Sequence, residues 1–265
     1  MIESKKEFKL ISKKNPKSLL PNALTIFGVC LGLSSIKFAI DLNYSMAVIA
    51  IGFAAILDTL DGRVARLIKG TSKVGKELDS LTDVISFGVA PSFVIYFWAI
   101  NEIGKFGWMF VLIYTVCCAL RLARFNLTTI DDNETWKINF FEGVPSPAAA
   151  GLVLLPLILS LSGIVQFQSK EIISSIVMLT TSILMVSNLP TYSLKRIVIP
   201  RSSGIFLLLG IGIYISLVIF YTFKTLFFTG LIYIILIPIS YFHYKQKNKN
   251  FLKTTKEEEE TEDIL

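Results

Sequence analysis

Apolar residues gather along the chain in eight long runs, parted by short polar segments. The runs fall at about 22–40, 44 to beyond 58, 78–100, 107–127, 148–165, 171–189, 203–222 and 226–243. Each approaches or exceeds the roughly 20 residues that a helix needs to cross the hydrocarbon layer. The pattern therefore predicts an all-α protein, a polytopic transmembrane helical bundle of about eight spans over residues 21–243. A short basic, amphipathic arm (1–20) precedes it, with Phe8, Leu10 and Ile11 as lipid contacts among its lysines. A charged tail (244–265), basic and then acidic, follows and is expected to lack regular structure. Pro21 and Asn22 open the first run and Asn43 the second. Gly88 and Pro91 are expected to bend the third, and Pro190 to stop the sixth.

Composition agrees with the pattern. The chain has 265 residues, 53% of them hydrophobic, and a mean hydropathy of +0.63. The net charge of +6 does not point to nucleic acid, because the Lys and Arg residues collect between apolar runs. Eight spans put both termini on one side, and 22 of the 26 basic residues fall there. Lys37, Lys105, Lys170 and Lys224 fall on the other side. Positive charge marks the cytoplasmic face, so an integral inner or plasma membrane protein with cytoplasmic termini is expected. Cys30, Cys117 and Cys118 lie inside apolar runs without metal-ligand spacing and read as reduced packing residues. His243 ends the last run and reads as structural. The Lys-rich beginning lacks the cleavage site of a signal peptide.

The chemistry lies in DTLDGRVARLIKGTSKVGKELDSLTD, from Asp58 to Asp83. Asp58 and Asp61 are three apart, and Asp79 and Asp83 four apart, so each pair shares one face of a helix. Helix rise over the 14 residues from Tyr44 to Asp58 is about 21 Å. Both acids of the second span then lie in its far third, toward the cytoplasmic surface. Carboxylates at the ends of apolar spans are costly and read as functional. Four oxygen donors without His or Cys suit hard cations, Mg²⁺ or Mn²⁺. Four crowded negative charges repel unless cations compensate them, and two divalent ions balance the charge. Two such ions about 3.5–4 Å apart form the usual clamp for displacement at phosphorus. Gly62, Ala65 and Gly75 allow close approach of a ligand, and Arg66 offers a planar fork to phosphate oxygens.

The full pattern, Asp58-x2-Asp61-Gly62-x2-Ala65-Arg66-x8-Gly75-x3-Asp79-x3-Asp83, fixes eight positions in 26 residues. It resembles the signature of the CDP-alcohol phosphotransferase family. That resemblance implies transfer of a phosphoryl-alcohol from a CDP-linked donor to an acceptor hydroxyl, with release of CMP. It also implies that Asp58, Asp61 and Asp79 are the main metal ligands. Asp83 would share the second ion and act as general base. Family members often carry Pro-Asn-x-x-Thr near the nucleotide, which makes Asn22 and Thr25 candidate donor-binding residues; for Asn22 a helix cap is the competing reading. By analogy a homodimer is expected.

Other stretches narrow the acceptor. SFGVAPS after Asp83, RLARFN from Arg121, GVPSPAAAG from Gly143 and LMVSNLPTYSLK from Leu184 look like the membrane-integral phosphatidylserine synthases of bacteria and archaea. This implies CDP-diacylglycerol and L-serine as substrates. A serine carboxylate asks for an arginine, and Arg121 or Arg124 meets that need, with Asn126 and Ser146 as weaker candidates. Alternatives within the class are a glycerol 3-phosphate or inositol phosphate acceptor, served by Arg121, Arg124, Lys195 and Arg201, or an ether-lipid donor. From another class, intramembrane acids can line a cation pathway in a transporter, but those would spread through the membrane depth.

Overall fold

The structure is a computed structural model and describes residues 19–68, 73–127, 140–192 and 204–262. Most of the expected N-terminal arm, Lys195 and Arg201 lie outside those residues. Helix α1 spans Leu19–Ile40 and α2 Tyr44–Leu67, with Asn43 capping α2 by accepting from the Met46 N–H at 3.2 Å. A third rod follows in three parts: α3 (Lys73–Asp83), a π-helical turn (Val84–Val89) and α4 (Ala90–Trp98). After α5 (Lys105–Leu127) come a short strand β1 (Phe140–Glu142), α6 (Ser146–Val153), α7 (Leu155–Leu161) and α8 (Lys170–Val186). The strand β2 (Pro190–Tyr192) and helices α9 (Gly204–Phe220) and α10 (Thr222–Glu262) complete the chain.

Five helical segments among the described residues are long and apolar enough to cross a membrane: Leu20–Ile40, Tyr44–Leu67, Val74–Trp98, Lys105–Leu127 and Thr222–Lys249. Helix α9 is apolar but shorter. The run expected as a fifth span is divided into α6 and α7, because Pro156 has no N–H with which to continue the ladder. Helix α1 begins before Asn22, which therefore lies inside the first turns and is not the cap. The all-α expectation misses one feature: β1 and β2 pair antiparallel, Phe141 opposite Thr191. Helix α10 also runs through most of the segment expected to lack regular structure. Its Lys, Gln and Glu residues are good helix formers, and no Gly or Pro interrupts them.

Packing around the third rod places the acids. Pro91 has no N–H to offer the Phe87 carbonyl, and the buried Tyr114 hydroxyl of α5 donates to it instead at 3.1 Å. The π-helical turn thus replaces the simple bend expected at Gly88 and Pro91. Helix α1 comes against this turn at Gly28 and Gly32, and Ser86 donates to the Gly28 carbonyl at 3.2 Å. A Cβ on Gly32 would lie 2.7 Å from the Ser86 Oγ and 3.0 Å from its Cα, so only glycine permits that approach. The cysteines are free, and Cys118 is fully buried. His243 contacts the Tyr192 hydroxyl at 2.9 Å and packs on Phe140, a structural tie between α10 and the strand pair.

Candidate active site

Three helices supply the acids and their first partner. Helix α2 presents Asp58 and Asp61 one turn apart, and α3 presents Asp79 and Asp83 one turn apart. Carboxylate oxygens of Asp58, Asp61 and Asp79 all lie within 4.8 Å of one another. The Asp83 carboxyl meets that of Asp58, and its Oδ1 is buried with no hydrogen-bond partner. From α1, the buried Thr25 hydroxyl donates to Asp61 Oδ2 at 2.7 Å. Asn22 lies one turn before Thr25 on the same helix. The two acid pairs, far apart in sequence, therefore form one cluster, with Thr25 fixing the orientation of Asp61.

The donor set fits a divalent cation. Hard cations take oxygen ligands at about 2.0–2.6 Å, so oxygens around one ion lie up to roughly 4–5 Å apart. The separations among Asp58, Asp61 and Asp79 have that scale. An orphaned carboxylate oxygen on Asp83 costs about 1–3 kcal/mol, a cost that a bound cation or a hydroxyl would remove.

The small residues and Arg66 lie along the same helices. A side chain at Gly62 would meet open space, so no neighbouring element demands glycine there. The opening leaves room for a ligand beside Asp61. Ala65 follows one turn later on α2, and Gly75 lies in the first turn of α3. Arg66 is exposed and folds back along α2, its Nε donating to the Gly62 carbonyl at 3.0 Å.

The two arginines at the end of α5 differ sharply. Arg121 is 7% exposed, donates from Nη1 to Ser146 Oγ at 2.7 Å and lies over the Phe125 ring. Its charge bears on Asp83, and its Nε is buried without a partner. Arg124 turns instead to the end of α8. It donates to the carbonyls of Val186 (2.9 Å) and Ser187 (3.1 Å) and to Asn188 Oδ1 (2.9 Å). Asn126 donates to Ser80 Oγ at 2.9 Å and so ties α5 to the residue after Asp79. Ser146 owes its place to Gly143, whose φ of +72° turns the chain from β1 into α6. A Cβ on Gly143 would lie 2.6 Å from the Met185 carbonyl oxygen.

Two polar side chains beside Arg121 have no counterpart in the sequence reading. Thr191 on β2 is buried and donates to the Gly143 carbonyl at 2.8 Å. The Tyr233 hydroxyl of α10 stands beside Thr191 and Arg121 and makes no well-formed hydrogen bond. Thr191 lies in a stretch already singled out, LMVSNLPTYSLK. Tyr233 sits in an apolar run where an aromatic residue reads as lipid-facing, and no sequence signal marks it.

Comparison with known proteins finds a family and named relatives. Residues 18–191 match the family model described as CDP-alcohol phosphatidyltransferase. A protein of Mycobacterium leprae named CDP-diacylglycerol–serine O-phosphatidyltransferase is 34% identical over 223 residues, which cover 84% of this chain and 74% of that protein. A protein of the same name from Helicobacter pylori is 42% identical over 188 residues, 69% of this chain and 76% of its own. One from Bacillus subtilis is 34% identical over 177 residues, 67% of this chain and 92% of its own.

Proposed function

The chain belongs to the CDP-alcohol phosphatidyltransferase family, and from that premise we propose that it transfers the phosphatidyl group of CDP-diacylglycerol to the hydroxyl of L-serine. The products are phosphatidylserine and CMP. The observation that carries the reading is the meeting of Asp58, Asp61, Asp79 and Asp83 from two helices in one cluster. The names of the relatives support serine as the acceptor.

In this reading Asp58, Asp61 and Asp79 would be the main ligands of two divalent ions, Mg²⁺ or Mn²⁺, with Asp83 sharing the second. When bound, such ions offset the charge of the donor diphosphate and the charge that develops at phosphorus. Thr25 keeps Asp61 turned inward. Asn22 and Arg66 face the nucleotide and phosphates, and Gly62, Ala65 and Gly75 leave room for them. Asp83 accepts the proton of the serine hydroxyl as its oxygen forms a bond to the lipid-side phosphorus. The bond from that phosphorus to the CMP oxygen breaks in the same displacement. Arg121 takes the serine carboxylate. Arg124 and Asn126 hold the walls of the pocket through α8 and Ser80.

The α6–α7 pair, α8 and α9 cross alongside the five longer segments, giving eight crossings. The acidic ends of α2 and α3 and both termini then face the cytoplasm, where soluble serine is met. Helix α9, which buries none of its residues, is left for lipid or the second copy of a homodimer.

The test is product identification. The purified protein, supplied with CDP-diacylglycerol and a divalent cation, is incubated separately with L-serine, glycerol 3-phosphate and an inositol phosphate. CMP release and phosphatidylserine are expected with serine. CMP release with a phosphorylated acceptor and none with serine would reassign the acceptor.

A further inference from the structure

Three polar atoms are buried without hydrogen-bond partners in one neighbourhood: Asp83 Oδ1, Arg121 Nε and the Tyr233 hydroxyl. The Arg121 charge bears on both Asp83 and Tyr233. Each orphaned group costs folding free energy, and the Thr191 hydroxyl beside Tyr233 is already committed to the Gly143 carbonyl. These side chains come from four places in the sequence. Asp83 ends α3, Arg121 lies on α5, Ser146 opens α6, and Tyr233 reaches in from α10 beside Thr191 of β2. The group adjoins the acid cluster, because Asp83 belongs to both.

We propose that Tyr233 is a substrate-binding residue for the acceptor, and that α10 forms one wall of the pocket that selects an amino-acid carboxylate. The inference rests on the serine reading given above. Tyr233 lies beyond residues 18–191, the part of the chain that matches the family model.

Chemistry sets the occupant. Arg121 Nε can only donate, the Tyr233 hydroxyl can donate or accept, and Asp83 when ionised can only accept. A carboxylate between Arg121 and Tyr233 accepts from both. A hydroxyl beside Asp83 donates to it. One small molecule carrying both groups removes all three orphans together. An alcohol without the carboxylate leaves Arg121 and Tyr233 unpaired, and a site with stranded polar groups rejects such an analogue strongly. Thr191, held by its bond to Gly143, stands beside the Tyr233 hydroxyl.

The Tyr233→Phe variant tests this. It keeps the ring and removes a hydroxyl that makes no well-formed bond within the chain, so the fold is retained. CMP release is measured for wild type and variant with L-serine and with serinol, which replaces the carboxylate by a second hydroxymethyl group. The serine KM should rise about tenfold, the loss of one hydrogen bond to a charged group. The kcat should change less than about threefold, and the CDP-diacylglycerol KM should stay the same. The preference for serine over serinol should narrow by about tenfold. A serine KM and a preference both unchanged, or an equal rise in donor KM, would overturn the role of Tyr233 and leave the serine reading intact. If the wild type released no CMP with serine, the serine reading would fail first and this inference with it.

Discussion

Two arginines three residues apart show what a sequence leaves undecided at the scale of single residues. Arg121 and Arg124 occupy the same helix end and present the same chemistry, so either serves an incoming carboxylate equally well on paper. Burial separates them: Arg121 points inward to Ser146, and Arg124 caps the last carbonyls of α8. Arg124→Ala should therefore weaken the fold by about 1–2 kcal/mol after allowance for solvent screening. A lower Tm with a serine KM changed less than about threefold is expected. An unchanged Tm with a large rise in KM would give the acceptor contact to Arg124. Asp83 allows a second test. Asp83→Asn keeps the shape and removes the basic oxygen, so turnover should fall by about 10²–10⁴ while CDP-diacylglycerol binding persists. Loss of donor binding instead would make Asp83 chiefly a ligand. The acids were legible because spacings of three and four residues have one geometric meaning on a helix. Thr25 was legible only through its neighbours Pro21 and Asn22, and Tyr233 was not legible at all.

At the scale of elements, the helix ends matter more than the helix middles. The turn after Asp83 widens where Pro91 withholds an N–H, and Tyr114 makes good the loss at Phe87. Helix α1 also approaches that turn closely, at Gly32 and Ser86. The same helix carries Thr25 to Asp61. Gly32→Val should push α1 away from the turn, at a cost of about 1–3 kcal/mol for overpacking, and move Thr25 off Asp61. A lower Tm together with weaker cation affinity is expected. Full affinity in a destabilised variant would uncouple the α1 approach from the acid cluster. The apolar runs announced most of these helices, because membrane length and few charges leave little else. Strands of three residues carry no periodicity to read, so β1 and β2 were invisible in the sequence. The division between α6 and α7 was written in Pro156, but within an apolar run it reads as a kink inside a continuous span.

For the whole molecule, the site is a convergence that no single segment contains. Helices α2 and α3 bring the four aspartates and α1 brings Thr25, while α5, α6 and α10 bring Arg121, Ser146 and Tyr233. Membrane-length helices carry the aspartates, near the end of α2 and in α3. Carboxylates this close repel one another when ionised unless positive charge compensates them. In the proposed reading, donor binding and transfer both depend on cation binding. It is measured most directly by titrating Mn²⁺ into the purified, chelator-treated protein with CDP-diacylglycerol present, for wild type and for Asp61→Asn. Two ions per chain in the wild type, weakened binding in the variant and CMP release restored only as the ions bind are expected. Absence of binding, or full transfer to serine in the presence of chelator, would contradict the assignment of the four aspartates.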